Sequence, residues 1–127
     1  MRRKIWTVIF TSALLILFSV VEQKAVRTLT DEAMMQTQTI LQLLKSGQSE
    51  QGLEQARQMD TWWDEKAPRV EVLINHEATD DVRFTLSRLV AALEGEDCEE
   101  AIVFARELEG GIEHVLERQV LSLQNLL

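Results

Sequence analysis

Proline and cysteine each occur once in this 127-residue chain, histidine twice and glycine five times. Each scarcity removes possibilities. A single cysteine, Cys98, permits no internal disulfide; it is a buried or reduced thiol, or a link between chains. Two histidines, His76 and His114, show neither H-x-x-x-H nor H-E-x-x-H spacing, so no zinc set is legible. A nucleophile elbow and a phosphate-cradling loop are also missing. Nothing after residue 21 alternates with period two for long, so strands are not expected. With so few breakers and no strand pattern, the chain reads as all-α, with room for one domain.

Charge is missing from one stretch. Ile5 to Val21 carries none, and Arg2-Arg3-Lys4 stands just before it. As a helix these 17 residues cover roughly 25 Å, slightly under the ~30 Å hydrocarbon core of a bilayer. Snorkelling of Lys4 and local thinning close that gap. A cleaved signal peptide is the competing reading, but Ser19 to Ala25 offers no convincing pair of small residues for cleavage. No cysteine follows the run, which excludes a lipoprotein anchor. The expectation is an uncleaved membrane anchor at residues 5–21. The preceding basic cluster sets the orientation: residues 1–4 in the cytoplasm and 22–127 outside the cell membrane.

Beyond the anchor, ten basic residues face all 21 acidic ones, leaving −11. That sign argues against nucleic acid, whose binding needs Lys and Arg to neutralise phosphates. It also argues against lying flat on an anionic membrane.

What is present is helical periodicity. Val26, Thr30, Ala33, Thr37, Ile40 and Leu44 recur three and four apart, following the anchor with no breaker. This predicts one helix continuing from the membrane to about residue 46. A second helix, about 49–75, carries Leu53, Ala56, Met59, Trp63, Ala67, Val70 and Leu73 or Ile74, with a kink or break near Pro68. A third, about 79–94, has Thr79 as N-cap, Asp80 and Asp81 in its first turn, and Val82, Leu86, Leu89 and Leu93 as its stripe. Gly95 ends it. The fourth, about 98–126, opens on Asp97 and Glu100 as a capping box. Its stripe runs through Ala101, Ala105, Leu108, Ile112, Leu116, Gln119, Leu123 and Leu126, with Gly110-Gly111 as a soft point.

A shift of 49 residues lays Leu44 on Leu93, Glu50 on Glu99, Ala56 on Ala105 and Arg57 on Arg106. The turns coincide as well. The outer part therefore reads as two αα-hairpins forming an antiparallel four-helix bundle, with a stacked helical-hairpin repeat as the alternative. Helices that alternate in direction place the second turn and the C-terminus near the membrane. The turns at 46–49 and 94–98 are then distal. His76 should lie near Leu127 and the anchor, far from Cys98.

Four candidate partner-contact residues stand out. Asn75, His76 and Glu77 close the run V-L-I-N-H-E. As chemistry they would be a metal ligand or an acid/base pair; as structure, a helix C-terminus with a left-handed Asn cap and a His at the negative dipole end. Trp62 neighbours Trp63, and adjacent helix positions cannot both face the core. Trp63 fits the stripe, so Trp62 is the one for exposure. The turn Glu94 to Glu100 holds five acids in seven residues without calcium-loop spacing. No catalytic, cofactor or metal residues are assigned.

I-N-H-E (Ile74 to Glu77), W-x-x-x-x-P (Trp63, Pro68), L-x-R-L (Leu86 to Leu89), the acidic turn and the S-L-x-N-x-L ending (Ser122 to Leu127) resemble a bacterial family. So do the basic N-terminus and the anchor. The family is known only as domain of unknown function 4363. The resemblance implies a bacterial source and brings no catalytic residues. The leading expectation is an uncharacterised, membrane-anchored extracytoplasmic helical module acting through a protein partner, and not an enzyme. An acidic cation-responsive sensor and a small metal-dependent enzyme using His76, Glu77 and His114 are the alternatives.

Overall fold

The computed structural model describes residues 1–71 and 76–126, with side chains described through residue 118 of the last helix. Four helices make up this part of the chain: α1 (Arg2–Lys45), α2 (Ser49–Glu71), α3 (His76–Glu94) and α4 (Cys98–Leu126). No strand occurs among the described residues.

The helices assemble because each buries a seam of small and apolar residues three or four apart. On α1 the seam is Val26, Thr30, Ala33, Thr37, Ile40 and Leu44; on α2 it is Ala56, Met59, Trp63, Ala67 and Val70. On α3 it is Thr79, Val82, Leu86, Leu89 and Leu93, and on α4 Ala101, Ala105, Leu108, Ile112 and Val115. A period near 3.5 residues keeps the seam facing its partners along the whole helix, as in supercoiled bundles. The seam differs from expectation at two places. Val115, not Leu116, is fully buried, because the seven-residue step from Leu108 lands on it. Gly52 joins the seam on α2 while Leu53 is half-buried. A Cβ at position 52 would lie 2.8 Å from Leu44 Cδ2, so glycine lets α1 and α2 approach there. Leu73, Ile74, Asn75 and Leu127 lie outside the described residues, as do the side chains of Gln119, Leu123 and Leu126.

α1 packs on α2 and α4, and α3 packs on the same two. Contact between the first and last helices closes a ring, which a stacked array of hairpins would leave open. The architecture is the antiparallel four-helix bundle.

The two hairpin turns are copies. Gln48 N–H donates to Leu43 O and Gly47 N–H to Leu44 O; Asp97 N–H donates to Ala92 O and Glu96 N–H to Leu93 O. This is the Schellman pattern, with the left-handed position at Gly47 (φ 79°) and at Glu96 (φ 59°). Every one of these atoms maps onto its counterpart by 49 residues, the offset in the sequence. Gly95, expected to end α3, is the residue before the left-handed position, which Glu96 occupies.

The start of α3 differs from expectation. The helix begins at His76, and Thr79 is a fully buried seam residue within it rather than an N-cap. Thr-Asp-Asp satisfies the local capping rule, but burial of Thr79 on the seam overrides it. α2 is not broken at Pro68; it stays helical to Glu71. α4 runs through Gly110-Gly111 without interruption.

α1 is 44 residues long. Its first part, Ile5 to Val21, stands clear of the bundle with its large apolar side chains exposed. It is the one helix among the described residues long and apolar enough to cross a membrane. The last turn of α2 and the first of α3 lie at the end of the bundle beside this segment: Val70 and Arg69 line a groove with Ala25 and Thr28, and His76 adjoins Glu71. The 46–48 and 95–97 turns share the far end, where Cys98 Sγ lies 3.8 Å from Leu44 O. The 23 residues of α2 separate the two ends by about 35 Å.

Candidate functional site

His76 and Glu77, singled out by sequence, open α3 at the end of the bundle beside the apolar segment, and both are exposed. Their position corrects the helix-end reading: His76 is the first residue of α3, so the argument from a negative helix C-terminus does not apply to it. Asn75 lies outside the described residues.

Around His76 the two middle helices are joined by a polar cluster. Glu71, at the end of α2, keeps only 13% of its side chain exposed. Its Oε2 lies 3.5 Å from His76 Nδ1, and its Oε1 is 3.0 Å from the Thr79 hydroxyl. That hydroxyl has one proton and a second acceptor, His76 O, also at 3.0 Å. Arg83 then spans the gap. Its Nη2 reaches Glu71 Oε1 at 3.4 Å, its Nε donates to Asp64 Oδ1 at 3.0 Å, and its Nη1 to Asp80 Oδ1 at 2.9 Å. Below it, the buried Trp63 indole N–H donates to Thr79 O at 3.3 Å.

Arg83 faces three carboxylates, those of Asp64, Glu71 and Asp80. Its hydrogen bond to Asp64 raises its pKa above the usual arginine value; partial burial opposes this, and Glu71, Asp64 and Asp80 add to it. Asp60, one turn from Asp64 on α2, is pushed up by burial and then by Asp64, with Arg83 pulling it down. Glu71 is shared by Thr79, Arg83 and His76, so its oxygens are committed to holding α2 against α3. Of this cluster the sequence singled out His76 as a contact residue, and read Thr79 and Asp80 only as the cap and first turn of α3. Glu71 and Arg83 were missed, and so was the meeting of all these side chains, since it comes through the register of two helices rather than through a motif.

His114 sits on the exposed face of α4, where its Nε2 accepts from Arg118 Nε at 3.3 Å. It is on a different element from His76. No three His, Cys, Asp or Glu side chains among the described residues are grouped to hold a metal ion. Cys98 is a free, half-buried thiol at the far end.

Trp62 is half-buried and packs on the core, its ring tilted 51° to that of Trp63 with centroids 6.2 Å apart. It lines a shallow groove of about 250 Å³ between α1 and α2, with Ala25, Thr28, Leu29, Glu32, Lys66, Arg69 and Val70. Of the two adjacent tryptophans, Trp63 has no exposed surface and Trp62 has some, as expected of neighbouring helix positions.

Residues 20–126 match the family described as Domain of unknown function (DUF4363), and the chain belongs to that family. The match takes in the whole bundle and begins at the last residues of the apolar segment, so Arg2 to Ser19 lie outside it. No curated protein and no solved structure matches the chain.

Proposed function

We propose that this chain is a single-pass membrane protein that holds a helical bundle outside the cell membrane and acts by contacting a protein partner there. One observation carries the reading. Ile5 to Val21 is an uncharged helical stretch with its large apolar side chains exposed, and no part of the bundle covers it. Seventeen such residues in water would be costly, at ~25 cal/mol per Å² of apolar surface; acyl chains remove that cost. The polar side chains within the stretch suit lipid as well. Thr7 and Thr11 hydroxyls donate to carbonyls four residues back, at Arg3 and Thr7, and Ser19 does the same to Leu15. Three of the four hydroxyl protons in the stretch, all but that of Ser12, are therefore satisfied within the helix in a medium without water. Since α1 is unbroken from Arg2 to Lys45, the bundle is held upright rather than on a flexible tether. This orientation brings His76 and Glu77 to the membrane side, within reach of another protein in the same bilayer.

Two measurements test this. The chain should float with membranes after alkaline extraction. In a Cys98→Ser background, Glu96→Cys at the far turn should react with a membrane-impermeant maleimide on intact cells. Labelling only after lysis would reverse the orientation. A photo-crosslinker at position 76 should yield a discrete product with an integral membrane protein, and its absence from both 76 and 77 would remove the partner.

A further inference from the structure

The α1–α2 groove combines three properties that a protein contact does not require together. Lys66 and Arg69 line it, and neither makes an ion pair or hydrogen bond with another described side chain. Trp62 lines the same groove with its ring only partly covered. Its lower lip, Ala25 with Val70 and Arg69, lies one turn beyond the last residue of the exposed apolar segment.

We infer that this groove binds the phosphate headgroup of an anionic phospholipid in the outer leaflet. The inference rests on the membrane-anchored reading above. With the core thinned to the segment's roughly 25 Å, the hydrocarbon ends at Val21, and a headgroup layer about 5–7 Å deep spans the next three to five residues. Ala25 then sits at the level of the headgroups. Arg69 and Lys66 stand above it on the neighbouring helix, with flexible stems that carry their charges toward phosphate. Trp62, a turn higher, is the residue type favoured at membrane interfaces. Glu32, the groove's acid, is on the lip away from the bilayer, two turns above Ala25. The domain as a whole carries −11 and is repelled by an anionic surface. With a screening length of about 8 Å, attraction must come from bases at the contact itself. The groove supplies them and takes Trp62 from the protein contact to the lipid.

The experiment uses the full chain in neutral detergent micelles, titrated with phosphatidylglycerol or phosphatidylcholine and read by native mass spectrometry. The wild-type chain should retain phosphatidylglycerol preferentially. Lys66→Gln with Arg69→Gln should lower its retention by roughly fivefold per charge removed. The charge-preserving pair Lys66→Arg with Arg69→Lys should keep it. Lys45→Gln with Arg88→Gln, two exposed bases away from the groove, should also leave it unchanged. Equal retention in the groove variant, or loss to millimolar inorganic phosphate, overturns the inference. Flotation of the same preparations separates the two claims. A chain that floats with vesicles but shows no groove-dependent preference sinks only the lipid site; one that does not float sinks the anchor with it.

Discussion

Glu96 holds a left-handed backbone conformation that costs a side-chain-bearing residue roughly 1–2 kcal/mol, while the equivalent position in the first turn is Gly47. The next position shows the reverse. Asp97 caps α4, accepting from Glu100 N–H at 3.1 Å, and its counterpart before α2 is Gln48, a poor N-cap. Each turn therefore carries one suitable residue where its copy carries an unsuitable one. Glu96→Gly and Gln48→Asp should each stabilise the bundle by about 0.5–1 kcal/mol, read as a rise of several degrees in melting temperature. An unchanged or lower value for Glu96→Gly would refute the strain assigned to that residue. Asp60 offers a test by pH. Its folded-state pKa is raised, first by burial and then by Asp64, so the fold favours its protonated form. Its contribution is fully present below the ordinary value of 3.8 and is lost as pH rises through the raised one. At pH 7 the carboxylate is a net cost. Asp60→Asn should be more stable than wild type at neutral pH, and the difference should close as pH falls toward 4 in paired denaturant melts.

Between elements, four ion pairs join α2 to α3 among the described residues, and their surroundings set their worth. Arg57 and Glu94 are 3.1 Å apart with more than half of each side chain in water, a setting where pairs contribute ~0–1 kcal/mol. Glu71 is mostly buried and serves Thr79, Arg83 and His76 together. Its removal leaves the Thr79 hydroxyl with His76 O alone and strips one of three carboxylates from Arg83. Glu71→Ala should cost about 2 kcal/mol, and Arg57→Ala less than about 0.5 kcal/mol. Equal losses in urea denaturation would contradict this ordering. The same cluster shows where sequence reading stops. The seams were legible because three-and-four spacing is a property of one helix, and the turns because Gly47 and Asp97 mark them. Glu71, Arg83 and Asp64 lie up to 19 residues apart on different helices, and only the interhelical register brings them together. Thr79 was misplaced for the same reason: its local capping signal is real, but its place on the seam decides its role.

At the scale of the molecule, the 49-residue offset equals seven heptads, so a second hairpin laid on the first keeps its seam in phase. Duplicated backbone hydrogen bonds at the two turns extend the match from a few identities to the main chain. The offset is legible in the amino-acid sequence because phase and turns are both written locally. Closure of the ring by α1 and α4 was the leading expectation, with stacking left beside it as the alternative, since periodicity does not say which seams meet. The closed ring also separates the two halves of α1. Every fully buried apolar residue described lies between Val26 and Val115, and none lies in Ile5 to Val21. Core and apolar segment therefore share a helix but no packing. A chain of residues 22–127 should fold without lipid or detergent, giving a helical circular-dichroism spectrum and one cooperative thermal transition. Its charge of −11 favours solubility. Placing Asp at Ala33, which has no exposed surface on the α1 seam, should abolish that transition through an unpaired buried charge. The same change at Ala13, in the exposed apolar part, should leave the bundle's transition intact in the full chain and impair only membrane association. A melting curve that moved with position 13 as much as with position 33 would show that the two halves of α1 are energetically one unit.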